Sequence, residues 1–341
     1  MPELRHDPIN RRWVIIATER AKRPSDFARP GEKLAKGGTK TKNNCPFCPG
    51  QEKETPPEVF ALRLPGTEPD TPGWQVRVVP NKFAALVPES KGTEEMTGLY
   101  RWREGLGVHE VIIEGPDHER ELWDYEPEHT VQVLKTWRQR YLQHARDERL
   151  AYAQIFKNFG TEAGASLQHP HSQLIATPLV PSAVRQEIER AEEYLEEKES
   201  CIYCDLLEAE LSQGARLIAF NKRFLAFCPF ASRFPFETWI LPRQHQSSFG
   251  EVTDEQLEDL ASVMQDVLGR LYRSLDGPPF NLVLRTAPLH EPSPAYHWYL
   301  QLLPRLTTVA GFEWGTDIFI NPTPPEHAAQ FLNEVSEEVG E

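Results

Sequence analysis

Several short runs of this chain are rich in β-branched residues and bounded by Pro, Gly or Asn, the pattern of strands: "WVIIAT" from Trp13, "WQVRVVPNKFAAL" from Trp74, "GVHEVIIEGPDH" from Gly107 and "YAQIFKNFG" from Tyr152. A different period appears in "EPEHTVQVLKTWRQRYLQHARDE". There Val131, Val133, Leu134, Trp137, Tyr141 and Leu142 recur at helical spacing, which predicts an amphipathic helix. "PSAVRQEIERAEEYLEEKES" predicts a charged helix with a solvated face, and "TDEQLEDLASVMQDVLGRLYRSL" a further helix. Residues 25–44, rich in Gly, Lys, Thr and Asn, read as a mobile loop.

After residue 200 the order repeats. A second C-x-x-C is followed by an Asn-Lys turn ("FNKRFLAF" against "PNKFAALV"), a strand ending in His, a helix and a strand ending in "AYHWYLQLLP". Without gaps, "GVHEVIIEGPDH" lies on "FPFETWILPRQH", pairing Glu110 with Glu237 and His118 with His245. "HPHSQLIATP" lies on "HWYLQLLPRL", pairing His169 with His297 and Gln173 with Gln301. A period this long suits two related half-domains rather than a solenoid. The expected fold is α+β: two tandem halves, residues 1–185 and 186–341, each an antiparallel-rich sheet with packed helices.

The 341 residues carry a net charge of −14. That balance argues against a nucleic-acid or anionic-membrane surface, which usually shows a basic stripe. It leaves room for a phosphorylated small molecule, which needs only a few local cations or backbone amides. No apolar run near the N-terminus is long enough for a signal peptide or a membrane span. Four of the five cysteines form two C-x-x-C pairs, which implies a reduced, cytoplasmic setting rather than a disulfide scaffold.

Each C-x-x-C brings two thiolates onto one turn, and each half supplies two histidines at matching places. The expected zinc sets are Cys45, Cys48, His118 and His169, and Cys201, Cys204, His245 and His297. Closed Cys2His2 sites leave no open ligand position, so this metal builds the fold. The competing reading is buried thiols and satisfied core histidines. Position 171 breaks the repeat: the first half has His171 where the second has Tyr299. A histidine needed only for metal would have kept its counterpart. Residues 169, 171 and 173 share one face of a strand, so His171 and Gln173 project beside the ligand His169. Held by a bond to its Nδ1–H, His171 would offer Nε2 as a nucleophile. Pro170 suggests an edge or bulge that opens this strand to a ligand. Upstream, "FKNFGTEAGAS" has the small residues of a phosphate-cradling loop at Gly164, Ala165 and Ser166, and Arg20, Arg23 and Lys157 are the local cations.

"HPHSQ", "NCPFCPG", "PNKFAAL", "GPDH" and "FKNFG" together resemble the galactose-1-phosphate uridylyltransferase family of the histidine-triad superfamily, over nearly the whole chain. The resemblance implies a homodimer and a ping-pong reaction through a nucleotidyl-histidine on His171. UMP would move between UDP-glucose and galactose 1-phosphate, with Gln173 contacting the transferred phosphoryl group. It implies nucleotide and phosphate contacts at Asn81, Asn158 and Gly164 to Ser166. It also places Arg20 and Arg23 near the partner subunit's site and matches "VAGFE", with Gly311, Phe312 and Glu313, to a substrate segment. "CIYC" and "HWYLQ" depart from the second metal site of the classical bacterial enzymes and resemble the branch containing plant ADP-glucose phosphorylase. An adenylyl donor with phosphate or a sugar phosphate as acceptor is therefore an alternative. From another class, the alternative is a zinc-stabilised nucleotide-binding protein without turnover.

Overall fold

The computed structural model describes residues 1–17, 27 and 44–337. In chain order the strands are β1 (Glu3–His6), β2 (Trp13–Ile16), β3 (Phe60–Arg63), β4 (Trp74–Pro80), β5 (Glu94–Thr97), β6 (Tyr100–Arg103), β7 (Val108–Ile113), β8 (Tyr152–Phe159), β9 (His171–Thr177), β10 (Leu217–Phe220), β11 (Phe224–Phe227), β12 (Thr238–Pro242), β13 (Phe280–Arg285), β14 (Tyr299–Pro304) and β15 (Phe319–Asn321). The helices are α1 (Pro127–His144), α2 (Ser182–Lys198), α3 (Ile202–Gln213), α4 (Asp254–Ser274), α5 (Gly311–Thr316) and α6 (Pro325–Glu337). None of the described helices is long and apolar enough to cross a membrane.

Ten strands form one antiparallel sheet in the order β10-β11-β12-β14-β13-β8-β9-β7-β4-β3. The order reads the same from either end if each strand of the first half is exchanged for its counterpart in the second. The halves meet where β8 pairs with β13, with Phe156 opposite Val283. The duplication seen in the sequence is therefore a pseudo-two-fold sheet, in the expected α+β class.

Alternation sorts the side chains of each strand. Leu174 and Ala176 of β9, with Leu300 and Leu302 of β14, join the large core under α1 and α4. His171 and Gln173 take the opposite face. α1 starts at Pro127, where the missing N–H costs nothing. α4 starts on a capping box: the Gln256 N–H donates to Thr253 Oγ1 and the Thr253 N–H donates to Gln256 Oε1. Its buried residues Leu257, Leu260, Ala261, Met264, Val267, Leu268 and Leu271 follow the helical period.

Two expectations need correction. β9 lies between β7 and β8, so it is not an edge, and Pro170 stands just before the strand's first residue. The gapless pairing of Glu110 with Glu237 is out of register by one residue. Val111 faces Gln173 across the first half's ladder, and Trp239 faces Gln301 across the second's. His109 is therefore the counterpart of Glu237. His118 follows Val111 by seven positions but His245 follows Trp239 by six, which hid this offset.

Candidate active site

Four side chains meet behind the β7–β9 end of the sheet: Cys45, Cys48, His118 and His169, all buried, their donor atoms within 4.8 Å of one another. Cys48 Sγ lies 3.3 Å from His118 Nδ1 and 3.5 Å from His169 Nδ1. Bonds of about 2.3 Å to sulfur and 2.0 Å to nitrogen give tetrahedral edges of roughly that length. His169 Nε2–H donates to the Gly115 carbonyl at 2.8 Å, which leaves Nδ1 as the ligand atom. The second half repeats the device with Cys201, Cys204, His245 and His297. There His297 Nε2–H donates to the Pro242 carbonyl at 2.8 Å. Both donor sets fit a divalent metal.

His171 opens β9 beside the first cluster. Its Nδ1–H donates to the His169 carbonyl at 2.8 Å, so the neutral ring presents Nε2 as an unprotonated base. Burial pushes its pKa down to about 4, against the pull of that hydrogen bond, so the ring is uncharged at neutral pH. The edge of Phe47 packs on the ring, with centroids 5.4 Å apart.

A cleft of about 380 Å³ opens on this face. His171, Gln173, Asn81 and Ser166 line it with Phe47, Val111 and Phe83. Phe83 is 85% exposed, so a ring face is free for an occupant. Gln173 is not alone: its Oε1 lies 2.8 Å from His109 Nε2, a partner the sequence reading missed. Strand alternation was the available signal, since His109, Val111 and Ile113 share the face of His171.

The remaining candidates are distributed unevenly. Asn158 accepts from Asn281 Nδ2 at 2.9 Å and borders a small void beside His171, as does Ala165. The amides of Gly164 and Ala165 close the turn onto Thr161 and Gly160, while Ser166 faces the cleft. Gly160 has φ +84° and a Cβ there would lie 2.6 Å from Pro279, so this turn demands glycine. Lys157 is not a free cation: it lies under the sheet, bound to Glu114 at 2.7 Å and Glu121 at 2.9 Å. Gly311, Phe312 and Glu313 belong to the exposed helix α5, and none lines the cleft of its own chain. Arg20 and Arg23 lie outside the described residues.

The second half keeps the strand but closes the space. Tyr299 replaces His171, and the tilted ring of Trp239 packs against it with centroids 4.7 Å apart. In the first half the position of Trp239 is Val111, which leaves the cleft open.

Residues 1–181 match the model of the galactose-1-phosphate uridyl transferase N-terminal domain, and residues 187–339 that of its C-terminal domain. The chain belongs to the galactose-1-phosphate uridyl transferase family. Family membership makes it a nucleotidyltransferase of nucleotide sugars and sugar phosphates. Arabidopsis thaliana ADP-glucose phosphorylase is 38% identical over 340 residues, covering 98% of this chain and 93% of the relative. Thermotoga maritima galactose-1-phosphate uridylyltransferase is 30% identical, covering 99% and 100%. Among solved family structures, Arabidopsis ADP-glucose phosphorylase with bound ADP-glucose superposes with a TM-score of 0.81 at 35% identity, over 98% and 99% of the two chains.

Proposed function

We propose that the chain exchanges UMP between UDP-glucose and galactose 1-phosphate through a nucleotidyl group carried on His171. The observation that carries this reading is the Nδ1–H bond of His171 to the His169 carbonyl, which leaves Nε2 open at the cleft. Nε2 forms a bond to the α-phosphorus of the nucleotide sugar, and the bond from that phosphorus to the bridging oxygen breaks. Hexose 1-phosphate leaves with the electron pair. The ring keeps its Nδ1 proton, so the adduct is cationic, and the carbonyl dipole of His169 stabilises it. A phosphate oxygen of the second substrate then attacks the same phosphorus and frees Nε2. Two displacements replace one difficult transfer. Gln173 and Ser166 face the phosphoryl group, and Phe47 and Phe83 offer ring surfaces to the base.

A second reading is adenylyl transfer from ADP-glucose to phosphate. The 38% identical phosphorylase and the structure with ADP-glucose bound favour it. A substrate matrix decides: UDP-glucose and ADP-glucose, each with galactose 1-phosphate or inorganic phosphate. Turnover with UDP-glucose and galactose 1-phosphate supports the first reading, and turnover with ADP-glucose and phosphate the second. No turnover with any pair would leave a non-catalytic nucleotide binder.

The metal at both clusters is zinc in this reading, since thiolate and imidazole in a closed tetrahedral set suit it. It organises the loops that hold His171 and takes no part in bond making. Elemental analysis of the purified protein should find two zincs per chain. The working form is a homodimer: the α5 segment does not reach its own cleft, and the β5–β6 hairpin stands exposed on both faces. The free thiols suit a reducing cytoplasm.

A further inference from the structure

Gln173 can serve a phosphoryl group in two opposite ways, because its amide has a donor end and an acceptor end. Only the donor end favours a transition state that gathers negative charge on oxygen. What stands beside the amide decides which end faces the cleft.

His109 stands there, on β7. The Ala85 N–H donates to His109 Nδ1 at 3.2 Å, so that nitrogen carries no proton. The proton of the neutral ring is then on Nε2, which lies 2.8 Å from Gln173 Oε1 and donates to it. With its oxygen occupied, Gln173 has its Nε2 hydrogens left for the cleft. Asn81 Nδ2 also lies 3.1 Å from His109 Nε2; because the Asn81 oxygen accepts from the Phe83 N–H, this is a donor-to-donor contact that contributes no hydrogen bond, and the His109 proton goes to Gln173.

The duplicated half supplies the contrast. At the register position of His109 it has Glu237, whose Oε1 accepts from Gln301 Nε2 at 2.8 Å. Trp239 Nε1 donates to the same oxygen at 3.1 Å. So each half holds its glutamine from the same position, with opposite polarity. Where the neighbour is a carboxylate, it takes one amide N–H and turns the amide oxygen away from itself. Where it is a histidine, the donor is released.

We infer that His109 is a positioning residue for nucleotidyl transfer: it donates to Gln173 Oε1 and thereby turns the Gln173 amide N–H toward the phosphoryl oxygens. His109 also clasps the loop that carries Asn81 and Phe83: its ring accepts from the Ala85 N–H, and its backbone carbonyl accepts from the Asn81 N–H at 2.8 Å. The role rests on the nucleotidyl-histidine reading above, and the two fail in different ways.

The test is single-turnover nucleotidylation of the full-length protein with labelled UDP-glucose and, in parallel, labelled ADP-glucose. His109→Leu should slow labelling on the order of 10–100-fold, with a much smaller change in half-saturating substrate. His109→Gln, which can still donate to Gln173, should recover most of that rate. His109→Glu, which copies the second half, should be as slow as His109→Leu or slower. In a double-mutant cycle, His109→Leu should add little to Gln173→Ala, because the two act through one amide. Retained zinc and an unchanged melting temperature keep a folding defect apart from a positioning one. Labelling of His109→Leu at the wild-type rate, or full additivity with Gln173→Ala, would overturn the role while leaving nucleotidyl transfer standing. No label on the wild type would remove the transfer reading, and the role with it.

Discussion

Val111 and Trp239 occupy the same register position in the two halves, and Trp239, with Tyr203 of α3, covers the face of Tyr299 that corresponds to the open face of His171. Trp239 lies against Tyr299 and fills the space. Val111 lines an opening of about 380 Å³ in front of His171. Val111→Trp should therefore close the first half as the second is closed. Nucleotidylation should fall about 10–100-fold through lost substrate binding, the equivalent of about 1.4–2.8 kcal/mol. Circular dichroism should show the fold intact. Normal labelling would mean that substrate enters elsewhere. His171 was legible in the sequence because it breaks a repeat that the ligand His169 and the neighbouring glutamines keep. His109 was not, because a gapless alignment set Glu110 against Glu237. The one-residue difference between strand and ligand histidine is invisible until the ladder is seen.

At the scale of elements, the displaced residue has its own task. Glu110 points to the helix side of β7, where Arg140 Nη2 donates to it at 2.6 Å and His144 Nε2 at 2.9 Å, tying the strand to α1. Burial alone would raise the Glu110 pKa, but the bonds to His144 and Arg140 outweigh it and hold the carboxyl below its usual range. A depressed folded-state pKa means that the stabilisation is complete above the ordinary carboxylate value of 4.5 and is lost as pH falls through the lower, folded-state value. Glu110→Gln should cost about 3–5 kcal/mol in urea unfolding at pH 7, with the gap to wild type shrinking in acid. A constant gap across that range would contradict the ion pair. The second Cys2His2 cluster is likewise a matter of elements. It ties the start of α3 to the loop before β14, well away from His171 in the sheet order. Cys204→Ser should remove one metal per chain and lower the melting temperature by several degrees, the usual consequence of losing a structural metal. His171 should still be labelled at permissive temperature. Loss of labelling in the folded variant would give this metal a role in the reaction. Strand and helix periods made most of these elements readable. Pro170 misled, because a proline just outside a strand leaves the same local signal as one on an edge.

For the whole molecule, the duplicated sheet explains why one chain carries two Cys2His2 clusters, while the histidine at position 171 stands in one half only. The halves share a continuous ladder through β8 and β13, so the second half buttresses the strand that carries His171 and Gln173. The β5–β6 hairpin projects Met96, Leu99, Tyr100 and Trp102 into solvent, and a two-stranded hairpin is marginal by itself in water. The homodimer reading gives it a cover. Leu99→Asp combined with Tyr100→Asp should shift sedimentation from dimer toward monomer, whereas an unchanged dimer would place the interface elsewhere. This part of the molecule was not legible from hydrophobic pattern, because an exposed apolar hairpin and a buried one read alike along the chain. The central claim, a covalent nucleotidyl group on His171, is tested most directly by intact mass after brief incubation with UDP-glucose and with ADP-glucose, followed by peptide mapping under mildly alkaline conditions. The account predicts a gain of one nucleoside monophosphate per chain, located on His171 and absent from His171→Asn. No adduct with either donor, or an equal adduct on the variant, would contradict it.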